Sequence, residues 1–188
     1  MRIITGKARG IRLKTLEGEA TRPTSERVKE AVFSMIQFDL EGRTFLDLFA
    51  GSGQLGLEAI SRGAQHAVFV DQSKQAIQII RENVQKTKLD SFCSVHQLNS
   101  LDFINRNRET KLDIIFLDPP YASGLYQPVL SALLDANMLK PFSLIVCESN
   151  TAQLLDNNET LQRRLKIKKQ SSYGNTTITI LIPNTEEA

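Results

Sequence analysis

The sequence predicts an α/β fold with a mostly parallel sheet, closed at its end by an antiparallel hairpin. Three observations carry this expectation. Strand-like apolar runs alternate with helical patterns from residue 44 onward, the pattern of βαβ units. A glycine-rich turn, Gly51-Ser52-Gly53, stands between the first of those strands and the helix after it. Two β-rich runs near the end, residues 165–172 and 176–182, are joined by Tyr173-Gly174-Asn175, a link suited to a hairpin turn.

Taken in order, the N-terminal stretch suggests a small β-hairpin, with extended runs at 2–4 and 11–16 around Gly6 and Gly10. Residues 18–21 resemble a linker. Thr24 is placed to cap a helix with Val28, Ala31, Val32, Met35 and Ile36 on one face. The alternating region then opens with a strand at 44–48, a helix at 54–62 stopped by Gly63, and a strand at 67–70 ending at Asp71. Ser73 can cap the next helix, whose apolar stripe is Ile77, Ile80 and Val84. A strand at 92–96 and a short helical piece near 100–105 follow. After them come a strand at 111–117, a helix at 126–135, a strand at 143–147 and a polar helix at 158–163. The division expected is an N-terminal extension, residues 1–20, followed by one domain, 21–188.

A chain of 188 residues buries a real core without disulfide or metal staples. No run approaches the ~18 consecutive apolar residues of a membrane span. The basic N-terminus, MRIITGKARG, has no apolar segment of the secretory type, so a cytoplasmic protein is expected. Cys93 and Cys147 lie far apart in apolar runs and read as reduced, buried thiols. No Cys/His spacing suggests a metal site, and His66 and His96 are isolated. The net charge of +2 says little, but its distribution says more. Residues 1–14 carry Arg2, Lys7, Arg9, Arg12 and Lys14 and no acid, and residues 163–169 carry Arg163, Arg164, Lys166, Lys168 and Lys169. From charge alone, these clusters read equally as a phosphate-binding rim or as solvated surface.

Gly51, Gly53 and Gly56 match G-x-G-x-x-G, and Asp71 follows at the end of the next strand, as a ribose-binding acid would. The strand–loop–helix–strand–acid context points to a nucleotide-type cofactor. Asp47, at the tip of the first strand, argues against a dinucleotide such as NAD, because a carboxylate there repels a pyrophosphate. It suits S-adenosylmethionine (SAM), which has a sulfonium and an α-amino group and no phosphate. There is also no second domain for a dehydrogenase substrate.

The apolar run before residue 118 ends abruptly in Asp118-Pro119-Pro120-Tyr121. In an open α/β sheet, ligands gather at the carboxyl ends of strands, so Asp118 is expected to face the methyl donor. An exocyclic amine on a base is a poor nucleophile because its lone pair is delocalised into the ring. Hydrogen bonds from its N–H groups to the Asp118 carboxylate and to a prolyl carbonyl, that of Pro119 first, favour a pyramidal nitrogen and aim the lone pair. The prolines fix their φ angles and so place the acceptors in advance. Tyr121 offers a flat face on which an extruded base can stack. A Pro-rich turn with a buried tyrosine is the bland alternative.

With these segments in view, the sequence resembles the RsmD family of bacterial 16S rRNA guanine-N2 methyltransferases over essentially its whole length. The resemblance lies in MRIITGKARGIRL, RPTSERVKEAVFSMI, LDLFAGSGQLGLEAISRGA, DIIFLDPPY and YGNT. It implies a Rossmann-like, seven-stranded SAM-dependent methyltransferase sheet with an N-terminal hairpin and helix. It also implies SAM as methyl donor and, as acceptor, the N2 amine of one guanine of 16S rRNA in the small ribosomal subunit, of the guanine 966 type. Carried onto this chain, the SAM loop is Asp47, Gly51, Ser52 and Gly53. Asp71, with Gln72 beside it, takes the ribose, and the adenine contact falls near Asn99, Ser100 and Leu101. Arg22, Pro23 and Thr24 line the cofactor or RNA entrance, and the catalytic tetrad is Asp118 to Tyr121. Gln54 departs from the family, which usually has a small residue there. With the resemblance, Lys7, Arg9, Arg12 and Lys14 become the expected RNA grip of a monomeric enzyme.

Two other readings are open from the residues. An adenine-N6 or other amino-group methyltransferase would use the same tetrad, although a DNA enzyme needs a recognition region for which the chain has no room. A protein-glutamine methyltransferase would more typically carry Asn in place of Asp118. A SAM-binding but inactive ribosome assembly factor would have no use for an intact Asp118-Pro119-Pro120-Tyr121.

Overall fold

The computed structural model describes residues 1–16, 26–120 and 123–185. Within them the helices are α1 (Glu26–Ile36), α2 (Gln54–Ser61), α3 (Lys74–Thr87), α4 (Ser100–Arg106), α5 (Tyr126–Asp135) and α6 (Glu159–Arg164). The strands are β1 (Thr44–Asp47), β2 (His66–Asp71), β3 (Cys93–Gln97), β4 (Leu112–Leu117), β5 (Leu139–Ser149), β6 (Leu165–Tyr173) and β7 (Thr176–Pro183). They make the seven-stranded, mostly parallel sheet that was expected. The chain divides into two compact units, Met1–Asn99 and Ser100–Ala188.

In the first unit the strand order is β3-β2-β1, all parallel, with Thr44 opposite His66 and Ala67 opposite Cys93. The register brings Asp47 level with Phe69 and Asp71 level with Gln97. Helix α3 begins as its sequence predicts. The Ser73 hydroxyl accepts from the Ala76 N–H at 3.3 Å, and Ile77, Ile80 and Val84 are buried. Helix α2 is buried along its whole length, on one side against β2. Gly56 permits that approach, since a Cβ there would lie 2.3 Å from the Phe69 ring.

Three local expectations are corrected. Phe92 does not open β3 but ends a short 3₁₀ turn, Asp90–Phe92. The buried face of α1 is Val28, Lys29, Val32, Phe33 and Ile36, so Ala31 and Met35 are only half-buried. The N-terminal hairpin is minimal: Arg2 and Arg12 form one antiparallel bridge, tied by Ile3 N–H to Ile11 O and by Gly10 N–H to Ile3 O. The expected Thr24 cap lies outside the described residues.

In the second unit the order is β4-β5-β7-β6. β4 and β5 are parallel, while β7 runs antiparallel to both β5 and β6. β5 is longer than expected and fully buried from Ser143 to Ser149. Asn158 caps α6 by accepting from the Leu161 N–H.

Candidate active site

The first unit places the predicted loop residues at the carboxyl ends of β1 and β2. Asp47 is buried, and its Oδ1 lies 3.4 Å from the Phe49 N–H. The loop is tied down on both sides: the Ala50 N–H donates to Val70 O at 3.0 Å, and the Gly53 N–H to Ala50 O at 2.7 Å. Gly51 and Gly53 both hold positive φ, as the turn requires.

Asp71 is half-buried at the end of β2. Its Oδ2 accepts from the Gly51 N–H at 2.9 Å and its Oδ1 from the Ser73 N–H at 2.8 Å. A carboxylate has about four lone-pair sites, so each oxygen can accept once more, from a pair of ribose hydroxyls. Gln72 is exposed beside it.

Three features fit a ligand at this loop. The Oε1 of Gln54 is the one buried side-chain oxygen or nitrogen among the described residues that lacks a hydrogen-bond partner, and it stands at the first position of α2. A Cβ on Gly51 would meet nothing within 4 Å, so the loop leaves room on that side. Helix α2 has no side-chain cap, which leaves its first N–H groups for an incoming carboxylate. An anionic acceptor at Asp47 and a helix N-terminus that favours negative charge suit a zwitterion better than a pyrophosphate.

Asn99 is exposed at the end of the first unit. Ser100 is buried and opens α4 in the second unit, with Leu101 half-buried behind it. Also in the second unit, the buried strand β4 delivers Asp118 half-buried, Pro119 buried and Pro120 exposed. The Pro120 carbonyl accepts from the Ser123 N–H at 2.8 Å. Tyr121, Arg22, Pro23 and Thr24 lie outside the described residues.

The basic N-terminal arm, residues 1–14, docks on α2. The Glu58 carboxylate accepts from the Ile4 N–H at 2.8 Å and the Thr5 N–H at 3.0 Å. The Ser61 hydroxyl accepts from Ala8 N–H and donates to Thr5 O. Gly6 makes the fit possible, since a Cβ there would sit 1.7 Å from Ser61 O. Lys29 is fully buried between them, 3.4 Å from Glu58 and donating to Arg2 O at 2.5 Å. Burial pushes the Lys29 ammonium below its ordinary pKa, and the adjacent Glu58 carboxylate pulls it back.

Of the expected RNA-grip residues, Lys7, Arg9, Arg12 and Lys14 are all exposed. Lys14 is taken up by Glu82, and its ammonium holds that carboxyl below the usual range. Among the described residues no carboxylate pairs with Lys7, Arg9 or Arg12. In the C-terminal basic run, Arg164 pairs with Asp135 at 2.6 Å.

Glu58, Lys29 and Asn83 were not anticipated as parts of this region. The one signal for Asn83 was its place three residues after Ile80, on the apolar stripe of α3.

Comparison with known proteins follows the same outline. A family model described as Conserved hypothetical protein 95 matches residues 1–182. Ribosomal RNA small subunit methyltransferase D of Haemophilus influenzae is 38% identical over 79% of this chain and 78% of its own. The protein of the same name from Escherichia coli K12 is 33% identical over 92% of this chain and 87% of its own. Among solved structures, yhhF of Escherichia coli superposes with a TM-score of 0.84 at 28% identity, covering 99% of each chain.

Proposed function

The chain belongs to the Conserved hypothetical protein 95 family together with the Ribosomal RNA small subunit methyltransferase D proteins, and on that premise we propose that it methylates small-subunit rRNA with SAM as donor. At the finer level, we propose the exocyclic N2 amine of one guanine of 16S rRNA, of the guanine 966 type, as acceptor. The observation that carries the cofactor reading is the glycine loop tied to Asp71 through Gly51, beside a buried Asp47.

In this reading Asp47 offsets the positive charge of the donor and Asp71 holds the ribose. The N–H groups opening α2 take the carboxylate, and Gln54 Oε1 gains a donor. Asn99, Ser100 and Leu101 are assigned to the adenine, and Arg22 and Thr24 to the entrance. SAM, when bound, supplies a methyl group made electrophilic by its sulfonium. The protein's part is to present the amine. The Asp118 carboxylate and the Pro119 carbonyl accept its N–H bonds, the rigid prolines hold those acceptors, and Tyr121 stacks on the base. Residues 1–20 form the RNA-contacting extension, with Lys7, Arg9 and Arg12 as its phosphate contacts and Lys14 as a lesser one. The enzyme acts as a cytoplasmic monomer on an assembling subunit.

The test is methyl transfer from labelled SAM to unmodified small subunits and, separately, to deproteinised 16S rRNA, followed by digestion to nucleosides. Label in N2-methylguanosine is the expected result. Label in N6-methyladenosine would keep the chemistry and discard the acceptor. No label, with SAM bound, would overturn the catalytic reading.

A further inference from the structure

Asn83 is fully buried on α3, and its carboxamide is used on both sides. Oδ1 accepts from the Lys14 N–H at 2.8 Å, and Nδ2 donates to Lys14 O at 2.9 Å. The second Nδ2 proton goes to Ser52 O, also at 2.9 Å. Only one orientation of the amide satisfies one donor and two carbonyls, so the assignment of its atoms is fixed by the network. Toward Lys14 the side chain does what a neighbouring strand would do, pairing with both main-chain groups of one residue. Toward Ser52 it holds the middle of the glycine turn. Because the peptide group is planar, fixing Ser52 O also fixes the Gly53 N–H. One buried side chain therefore joins the basic N-terminal arm to the cofactor loop.

The arm has few other main-chain ties. Its own ladder is the single bridge between Arg2 and Arg12; one main-chain bond, Lys7 N–H to Ser61 O at 2.8 Å, ties it to α2, and its other anchors are side chains of α1, α2 and α3.

We propose that Asn83 is a positioning residue that couples RNA binding on the arm to cofactor binding at the loop, each raising the affinity for the other. The proposal rests on the cofactor reading above. Phosphates held by Arg9 and Arg12 steady the arm, Lys14 stays on Asn83, and the Ser52 turn is ready for its ligand. Linkage requires the effect to be reciprocal.

The experiment measures S-adenosylhomocysteine binding by calorimetry, with and without saturating unmodified small ribosomal subunits and, separately, deproteinised small-subunit rRNA. Wild type should bind about fivefold or more tightly with RNA present, and RNA should bind more tightly with S-adenosylhomocysteine by the same factor. Asn83→Leu, which fills the space and lacks the hydrogen bonds, should bring that factor to about one while still binding RNA. A second measurement needs no variant: hydrogen exchange of the Lys14 amide in wild type should slow when S-adenosylhomocysteine is added. Cofactor binding with no RNA effect, or with no change at the Lys14 amide, overturns the coupling alone. No S-adenosylhomocysteine binding by wild type overturns the cofactor reading and the coupling with it.

Discussion

Glu58→Ala tests how the N-terminal arm is anchored. The carboxylate is fully buried, accepts from Ile4, Thr5 and the Arg62 Nε, and neutralises Lys29. Removing one partner of a buried ion pair costs about 3–5 kcal/mol, because the other charge stays behind without compensation. The two amides add less than a full burial penalty, since Ile4 is half-buried and Thr5 exposed, and water can reach them. For a chain of this size each kcal/mol lowers Tm by about 2–4 °C, so a fall of roughly 6–20 °C is expected by calorimetry.

The double variant Lys29→Met/Glu58→Ala removes the stranded charge and should recover about 2 kcal/mol, leaving the loss at the amides. The single variant should also regain stability as pH rises toward 10.5, the ordinary lysine value. Its unpaired Lys29 binds a proton less readily folded than unfolded, so in that window the unfolded state holds more protons and raising pH favours the fold. A loss below about 1 kcal/mol for the single variant would refute this account. So would a double variant no more stable than the single.

Arg9→Ala/Arg12→Ala should weaken rRNA binding and reduce the slope of log affinity against log salt by about 1.5, with S-adenosylhomocysteine affinity in the absence of RNA unchanged; equal RNA affinity at several salt concentrations would remove both residues from the interface. Asp118→Ala should keep S-adenosylhomocysteine binding and lose turnover by about 100-fold or more, measured as label incorporated into rRNA. Cys93 should resist alkylation at pH 8 in the folded protein and react on unfolding, because burial pushes its thiol from 9.0 up to about 12. The same shift means that its contribution to stability is constant below pH 9.0 and is lost as pH rises from there toward about 12, where only the unfolded thiol ionises.

The sheet and its helices were legible because their signals are local. Ser73 caps α3 as its spacing suggests, and Gly56 packs on Phe69 as the third glycine of the pattern should. The end of β4 at Leu117 follows from Asp118 and the two prolines after it. The attachment of the arm was not legible. Its contacts join Thr5 to Glu58 and Lys14 to Asn83, residues 53 and 69 positions apart, and no periodicity encodes such pairs. Lys29 and Glu58 gave no signal either, because charged residues within a helix ordinarily read as a solvated face.

The placement of β7 bears on how the second unit is made. β7 is the last strand in sequence yet lies inside the sheet, between β5 and β6. During synthesis, β5 leaves the ribosome with an apolar edge, Ile145 to Cys147, whose eventual partners, Leu181 to Thr179, have not yet been translated. β6 appears next and has no neighbour except the strand still to come. This half of the protein therefore closes its sheet only after β7 is translated, and it carries an open edge until then. A nascent chain stalled before Thr176 would present β6 and the β7-facing edge of β5 unpaired, β5 being held by β4 on its other side, and such an open edge invites aggregation.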